Sequence, residues 1–400
     1  MRRFLVWAAV WAIAAGGAPA ARAENAPGVT DTEIKLGQTA PYTGLLAAVA
    51  GPFGQAEQAY FRMINDQGGI NGRKIVLESL DDGFDPRRSL ELTKKMVEQD
   101  HVAAILSPFA TPANLAIRDY LNDNKIPQLF VATGDDIASD YKRYPWITGG
   151  VPVFRIEAQI FGRYILVDMP NAKVAILHGN DDMGAAYVRG LKQGLGKLYD
   201  QRVVKVVAFD DTAPAIDAAL AELRATNADA LVIVGPPPVV AQVVVKTHDM
   251  GWPKTRFINF ASSSQPVLAA AGYGKANGVI SGLAYIDPSN PRWIEDGSAK
   301  PFLDFVAKYL PGEGRDVGYY LAGYVIAQAM AQVLIQCGDD LSRENIMAQA
   351  LNLRDFHPVG LLPGISFNTS RTKHLPIVEA ALQRFDGQHW RQIGEIMAGF

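Results

Sequence analysis

Two adjacent carboxylate pairs, Asp81-Asp82 and Asp181-Asp182, are the side chains in this 400-residue chain that could hold a metal or act as general acid and base. Each pair lies at the end of a predicted strand, where aspartates commonly cap helices and fix turns. We therefore expect mainly structural roles, with one member of the second pair left to touch a ligand. The six histidines are scattered and share no metal-ligand spacing. His178 stands at a predicted strand end, where a structural hydrogen bond is the simplest role.

Catalytic motifs are missing from the sequence. It contains no nucleophile elbow, Walker loop, dinucleotide-binding fingerprint or zinc-binding His-Glu-x-x-His. The glycine-rich stretch at 190–196 lies late in a predicted helix, and we interpret it as the C-terminal end of that helix. The sequence therefore favours a binding protein with no cofactor, no metal and no catalytic residue.

The elements that must position these residues are two runs of four apolar strands, each strand followed by a helical stretch. The predicted strands are 34–40, 75–82, 103–107 and 127–133 in the first run, and 173–180, 203–210, 230–235 and 256–262 in the second. This alternation predicts an α/β fold with parallel sheets. Ligands of such sheets bind beyond the carboxyl ends of the strands. We therefore expect two lobes whose loops face each other across a cleft.

The remaining elements suggest how the chain divides between the lobes. Predicted helices cover 52–66, with Pro52 in the first turn, then 153–169, 301–309, 317–337 and 342–350, and Asp85-Pro86 is placed to cap another. The chain is expected to enter lobe two near 147–153 and to return through a strand at 279–285. A segment at 375–384 and a closing strand near Trp390 follow. We assign 24–150 and 286–356 to lobe one, and 151–285 and 357–400 to lobe two.

The N-terminus has the pattern of an export signal. Arg2 and Arg3 precede an apolar run at 4–15, and Ala21-Arg22-Ala23 offers a small-x-small cleavage site. About 12 apolar residues fall short of the roughly 20 that span a bilayer, and we expect no second apolar stretch of that length. The sequence predicts a signal peptide at 1–23 and a soluble periplasmic product.

Cysteine content and charge narrow the function further. Cys337 is the only cysteine, which excludes a disulfide within the chain and a cysteine metal cluster, and we expect it to be buried. The net charge is -3 without long basic runs, so nucleic acid is not an expected partner.

Four spaced motifs carry a family resemblance. They are Gly-Gly-Ile-Asn-Gly-Arg-Lys at 68–74, Asp-Asp-x-x-Asp-Pro at 81–86, Ala-Thr-Gly at 132–134 and Asn-Asp-Asp-x-Gly at 180–184. In this order the chain resembles the periplasmic leucine/isoleucine/valine-binding proteins, type I substrate-binding proteins of ABC transporters. The resemblance implies two Rossmann-like lobes, joined by a three-strand hinge, that close on a small-molecule solute. It also implies a monomer that docks onto ABC permease membrane subunits.

The resemblance places the carboxylate-binding half of the site in lobe one. It implies a hydroxyl donor at Thr111 after the third strand, and backbone and hydroxyl donors at Ala132, Thr133 and Gly134 after the fourth. Helix N-termini can hold an anion in this way without a cationic side chain. The alternative is that the two threonines only cap helices. Tyr42 lies in the first loop, where it would either cover the ligand or simply pack.

Lobe two departs from the amino-acid pattern of the family. The resemblance places ligand contacts at Asp182, Met183, Pro237, Ala261 and Ser262. The family's acidic partner for a ligand ammonium is replaced by Ala261, an aromatic by Met183, and a tyrosine is lacking near Pro237. A buried ammonium without a counter-charge costs several kcal/mol. These changes favour an apolar or aromatic carboxylate, or another small organic solute, over a standard amino acid.

Alternatives remain open from the sequence. Asp135, Asp136 or Asp182 would restore amino-acid binding by supplying a substitute counter-charge. Arg155 would either reach an anion or form a surface salt bridge. A periplasmic ligand sensor of the amide-binding or receptor type, and an enzyme on the same scaffold, are the rival functions.

Overall fold

The computed structural model describes residues 25–210, 215–312 and 318–399, so the predicted signal peptide lies outside the described residues. The first run of strands forms a parallel five-stranded sheet in the order β2-β1-β3-β4-β5. Its strands are β1 (Glu33–Ala40), β2 (Lys74–Asp81), β3 (Ala104–Leu106), β4 (Gln128–Val131) and β5 (Ile147–Gly149). The segment predicted as a passage to lobe two thus begins as an edge strand of the first sheet.

The second sheet has seven strands in the order β12-β11-β10-β9-β8-β6-β7. Its strands are β6 (Val174–Gly179), β7 (Val203–Phe209), β8 (Ala230–Val234), β9 (Thr255–Ile258), β10 (Ile280–Leu283), β11 (Glu379–Phe385) and β12 (Trp390–Ala398). The four strands of the predicted second run, β6 to β9, are parallel to one another, which confirms the prediction for that run. β11, which lies outside both runs, is antiparallel to both of its neighbours. A four-residue turn joins β11 to β12, and such a short connection permits only antiparallel pairing.

Helices cover both sheets. Those of the first half are α1 (Ala47–Asp66), α2 (Pro86–Glu98), α3 (Thr111–Asp123), α4 (Phe154–Asp168), α5 (Asp182–Leu195), α6 (Tyr199–Arg202) and α7 (Ile216–Arg224). They are followed by α8 (Pro237–Asp249), α9 (Gln265–Ala271), α10 (Tyr273–Ala276), α11 (Pro291–Glu295), α12 (Lys300–Tyr309), α13 (Gly318–Cys337) and α14 (Arg343–Ala350). The chain passes between the sheets three times, after β5, after β10 and before β11.

Helix ends follow the sequence signals in most places. The Asp85 carboxylate accepts the N–H of Arg87 at 2.9 Å, which confirms the predicted cap of α2. Gly196 ends α5 in the left-handed region, as the glycine-rich stretch predicted. The predicted start of α1 is wrong, because the helix begins at Ala47 and Pro52 lies inside it. Alanine-rich residues ahead of the proline have a high helix propensity and extend the helix backwards.

Helix α13 is the central helix of the lobe-one core. By length and composition it is the one helix among the described residues that could cross a membrane, which corrects the expectation of no second long apolar stretch. However, 83% of its apolar window is buried inside the protein, where it packs along α1. Cys337 at its end is buried, as predicted.

Glycines set the distance between α4 and α5 on one face of the second sheet. A Cβ on Gly190 would lie 2.2 Å from the carbonyl oxygen of Arg155, and one on Gly194 would lie 2.4 Å from that of Gln159. The two backbones are therefore in direct contact, which places the first turn of α4 and the body of α5 beside the cleft.

We predict that Gly194→Ala lowers the free energy of unfolding by about 1–3 kcal/mol, because the added methyl group forces the two helices apart. Gly51→Ala is the matched control, since a Cβ at this helical glycine meets nothing within 4 Å. The control should be neutral or stabilise by up to about 1 kcal/mol. Urea denaturation measures both, and equal stability of the two variants would contradict the packing argument.

Candidate ligand-binding site

The two threonines predicted to bind a carboxylate lie side by side. Their hydroxyl oxygens are 2.6 Å apart, and both residues are at least nine-tenths buried. Thr111 is the first residue of α3, and Thr133 follows β4 and accepts the N–H of Asp135 at 3.1 Å. Adjacent hydroxyls at a helix N-terminus are suitable donors for an anionic oxygen.

The loops that carry these threonines are joined by backbone hydrogen bonds. The N–H of Ala132 donates to Pro108 at 3.1 Å, and its carbonyl accepts from Ala110 at 3.2 Å. Ala110 adopts a φ of 73°, a rare conformation for a residue with a side chain. The backbone of Ala132, which was predicted to contact ligand, thus holds the loops together in this conformation.

Gly134 is one of the residues at which the two lobes are in contact. Its carbonyl accepts the N–H of Phe154 at 2.7 Å, and a Cβ on Gly134 would lie 2.4 Å from the Phe154 ring. Glycine is required at this position because any side chain would displace the ring.

Tyr42 belongs to a polar network within lobe one. Its hydroxyl donates to Gln38 at 3.0 Å and is hydrogen bonded to Ser79, while its backbone N–H donates to Asp81 at 2.9 Å. Burial raises the pKa of Tyr42 to about 12. These contacts are of the kind expected for packing within lobe one, which is one of the two roles that the sequence left open for Tyr42.

The carboxylate pairs have mostly structural roles. Asp81 also accepts from Thr43, Asp82 accepts from Phe84 and Ser89, and Asp181 caps α5 through the N–H of Gly184 at 2.7 Å. Asp182 is exposed in the first turn of α5. His178 has its Nδ1 atom 2.6 Å from the carbonyl oxygen of Gly179, in line with a structural role.

The residues predicted to contact ligand in lobe two differ in burial and in hydrogen bonding. Met183 is half-buried, with its sulfur 3.9 Å from the Asn259 amide, and Pro237 begins α8. Ser262 is fully buried, and its hydroxyl donates to Gly235 at 3.0 Å. Ser262 therefore connects the turn after β9 to the residue that follows β8, and its hydroxyl is already used in this hydrogen bond.

Tyr319, on the lobe-one helix α13, is a site residue that the sequence reasoning missed. Its hydroxyl donates to the carbonyl of Ala261 at 2.7 Å, so it links the two lobes at a residue that the sequence predicted to contact ligand. Burial raises the pKa of Tyr319 to about 12. No local motif marks Tyr319, because its partner lies 58 residues away in the chain.

Two ion pairs connect the lobe-two helices to the loop after β4. Arg155 Nε lies 2.7 Å from Asp136, and Arg189 lies 3.9 Å from Asp135. The Arg155 side chain is only 16% exposed, so the expected surface salt bridge exists but is largely buried. Burial raises the pKa of Asp135 to about 6; the nearby Asp136 and Asp182 also raise it, and Arg189 opposes the shift.

A buried carboxylate, Glu57, was also not foreseen. It lies on α1, is fully buried, and accepts hydrogen bonds at 2.5 Å from the Gln38 amide and the Ser107 hydroxyl. Burial raises its pKa from 4.5 to about 8, and the two hydrogen bonds oppose that shift. A glutamate in an amphipathic helix is usually exposed, so no sequence signal marks it. Among the described residues, no group of three His, Cys, Asp or Glu could hold a metal ion.

Comparison with known proteins identifies the architecture. Residues 33–389 match the family model described as periplasmic binding protein. An "Amino acid binding protein" of Pseudomonas aeruginosa is 24% identical over 341 residues, which cover 83% of this chain and 85% of the relative.

Two solved structures show the same fold. A branched-chain amino acid ABC transporter protein from Thermus thermophilus with bound valine has a TM-score of 0.80 at 16% identity, covering 93% of this chain and 98% of that one. A solute-binding protein of an ABC transporter from Rhodopseudomonas palustris in complex with 3,4-dihydroxybenzoic acid has a TM-score of 0.76 at 18% identity, covering 92% of this chain and 98% of that one.

We predict that Glu57→Gln changes how stability depends on pH. The pKa of Glu57 is raised in the folded state, so its stabilising contribution is complete below pH 4.5 and is lost as pH rises through about 8. Relative to wild type, the variant should therefore gain on the order of a few kcal/mol in unfolding free energy between pH 5 and pH 9. The exposed Glu91, changed to Gln, is the matched control. Urea denaturation at pH 5 and pH 9 measures the unfolding free energies. The same difference between Glu57→Gln and wild type at both pH values would contradict the prediction.

Proposed function

Since this chain belongs to the periplasmic binding protein family, we propose that it captures a small apolar or aromatic carboxylate between its lobes for import by an ABC transporter. The observation that carries the proposal is the pair of adjacent buried hydroxyls on Thr111 and Thr133. Hydrogen bonds to a charged acceptor are worth about 1.5–3 kcal/mol each, which is enough to select an anionic group.

The aromatic side chains next to the loop of Thr133 support an apolar ligand body. The rings of Phe154 and Phe260 lie 5.6 Å apart, and Phe154 packs against Gly134 beside Thr133. Ala261 brings no charge to this aromatic wall. A ligand with a carboxylate at one end and a ring or alkyl group at the other matches both halves. The Rhodopseudomonas palustris relative, with its bound dihydroxybenzoic acid, is an example of such a ligand in this fold.

A branched-chain amino acid is the second candidate, and a specific observation favours it. Burial raises the pKa of Asp135, and the negative charges of Asp136 and Asp182 lie close enough to raise it further. A ligand ammonium placed among these carboxylates would relieve their repulsion. The Thermus thermophilus relative with bound valine is consistent with this candidate.

The mechanism follows from the two lobes. Lobe one, assigned to 24–150 and 286–356, binds the carboxylate first. Lobe two, assigned to 151–285 and 357–400, then closes by rotation about the three crossing segments. The link from Tyr319 to Ala261 and the Arg189–Asp135 pair span the lobes and stabilise the closed form. Binding requires no covalent step.

The setting of this mechanism is the periplasm, reached through the N-terminal signal peptide. The protein acts there as a monomer that presents its closed form to the permease membrane subunits. The lobes reopen on the permease and release the solute to it.

The ligand class is tested by thermal shift with five solutes: benzoate, 3,4-dihydroxybenzoate, 4-methylpentanoate, leucine and valine. We expect stabilisation by at least one of the three carboxylates that lack an amino group. Stabilisation by leucine but not by its deaminated analogue 4-methylpentanoate would overturn the carboxylate proposal in favour of the amino acid.

Substitution of the two hydroxyls tests the site itself. Thr111→Val and Thr133→Val keep the side-chain shape, and each should weaken binding of the best carboxylate about tenfold or more. The exposed Thr372, changed to Val, is the control and should bind as wild type does. Isothermal titration gives the affinities of wild type and the three variants, and unchanged binding in both site variants would refute this site.

A further inference from the structure

A fully buried carboxylate, Glu157, lies directly behind the lobe-two half of the candidate site. It projects from α4 and is 3% exposed. One oxygen accepts the N–H of Phe260 at 3.1 Å and the hydroxyl of Tyr187; the other accepts the N–H of Gly282 at 2.5 Å and the hydroxyl of Ser281 at 3.4 Å. A Cβ on Gly282 would lie 2.6 Å from the carboxylate, so only glycine permits this approach.

The four partners of Glu157 all act as donors, which suits an ionised carboxylate because it can only accept hydrogen bonds. Two of the donors, the N–H groups of Phe260 and Gly282, belong to the backbone and cannot reverse their role. A protonated Glu157 has fewer acceptor sites. It also binds its donors less firmly, since hydrogen bonds to a charged acceptor are roughly twice as strong as those to a neutral one. The ionisation of Glu157 thus determines how tightly the turn after β9 is held.

This turn is connected to the ligand site through aromatic rings. The Phe260 ring lies 5.6 Å from the Phe154 ring, which in turn lies 5.8 Å from the Tyr187 ring. Phe154 contacts Gly134, the neighbour of Thr133. One layer of side chains therefore separates Glu157 from the proposed carboxylate site.

We propose that Glu157 is a positioning residue for ligand capture. Its ionised carboxylate holds the turn at residues 260–261 and the Phe154 ring in the binding arrangement, and protonation weakens capture. The inference rests on the proposed function, because it requires that the ligand lie between Thr133 and this aromatic wall.

The surroundings of Glu157 support titration near neutral pH. Burial raises its pKa from 4.5 to about 7, and its hydrogen bonds oppose that shift. Tyr187 on α5 is its titratable partner, and burial raises the pKa of this phenol well above its ordinary value. Four arginines on α4 and on the elements packed against it have other partners: Arg155 with Asp136, Arg189 with Asp135, Arg163 with the Ala398 carbonyl, and Arg384 with the Tyr164 hydroxyl.

The first experiment follows the backbone amides of Phe260 and Gly282 by ¹⁵N NMR in the ligand-free protein between pH 5 and pH 9. In wild type both signals should titrate together with a midpoint near 7. Glu157→Gln should abolish this titration, whereas the exposed Glu395, changed to Gln, should leave it intact. Tyr187→Phe removes a hydrogen bond that lowers the pKa of Glu157, so its midpoint should move to higher pH.

The second experiment measures the affinity for benzoate and for leucine at pH 8 and pH 5.5. Wild type should bind about tenfold more weakly at pH 5.5, as expected for the loss of one charge-assisted hydrogen bond. Glu157→Gln should bind weakly at both pH values.

The two experiments separate the two proposals. Failure of both solutes to bind counts against the proposed function, while the amide titration still decides the role of Glu157. Amides that do not titrate in wild type, or that titrate equally in Glu157→Gln, overturn the inference. Equal wild-type affinity at the two pH values also overturns it.

Discussion

The contact between Gly134 and Phe154 is the constraint on which the candidate site depends. It joins the loop after β4, which carries Thr133, to the first turn of α4 through one backbone hydrogen bond and one ring packed on a Cα atom. Because α4 is held against α5 by glycine contacts, the position of this ring also fixes the elements behind it. A side chain at residue 134 would separate the hydroxyl donors of lobe one from the aromatic wall of lobe two.

Each lobe buries one glutamate from its first long helix under the carboxyl ends of its strands. Glu57 accepts hydrogen bonds from Gln38 and Ser107 in lobe one, and Glu157 accepts them from the turn after β9 and from strand β10 in lobe two. Burying a carboxylate is costly, and the hydrogen bonds only partly offset that cost, so both pKa values stay above the ordinary value. Such groups order the loops at the cleft more firmly than an apolar residue would, because they require partners in defined directions.

The charges at the cleft are distributed unequally between the lobes. The acidic side chains Asp135 and Asp136 come from lobe one and are met by Arg189 and Arg155 from lobe two. On the lobe-two side, Ala261 has no charged side chain, and its carbonyl accepts a hydrogen bond from Tyr319. The ion pairs between the lobes therefore lie at the loop after β4, while Phe154 and Phe260 form an aromatic contact on the lobe-two side.

The sequence by itself determined the two-lobed α/β class and the family. Strand and helix periodicity, strand-end polar residues and four spaced motifs are local features, and they predicted the caps made by Asp85 and Asp181; the family resemblance that the motifs carry implied Thr111 and Thr133 as ligand contacts, and that remains a prediction. Only the tertiary structure decided the pairing of the last two strands, the start of α1, and the identity of Tyr319, Glu57 and Glu157 as residues around the cleft. In most cases their hydrogen-bond partners lie tens of residues or more away along the chain. Which polar side chain of a helix becomes buried is set by tertiary packing rather than by the local sequence pattern.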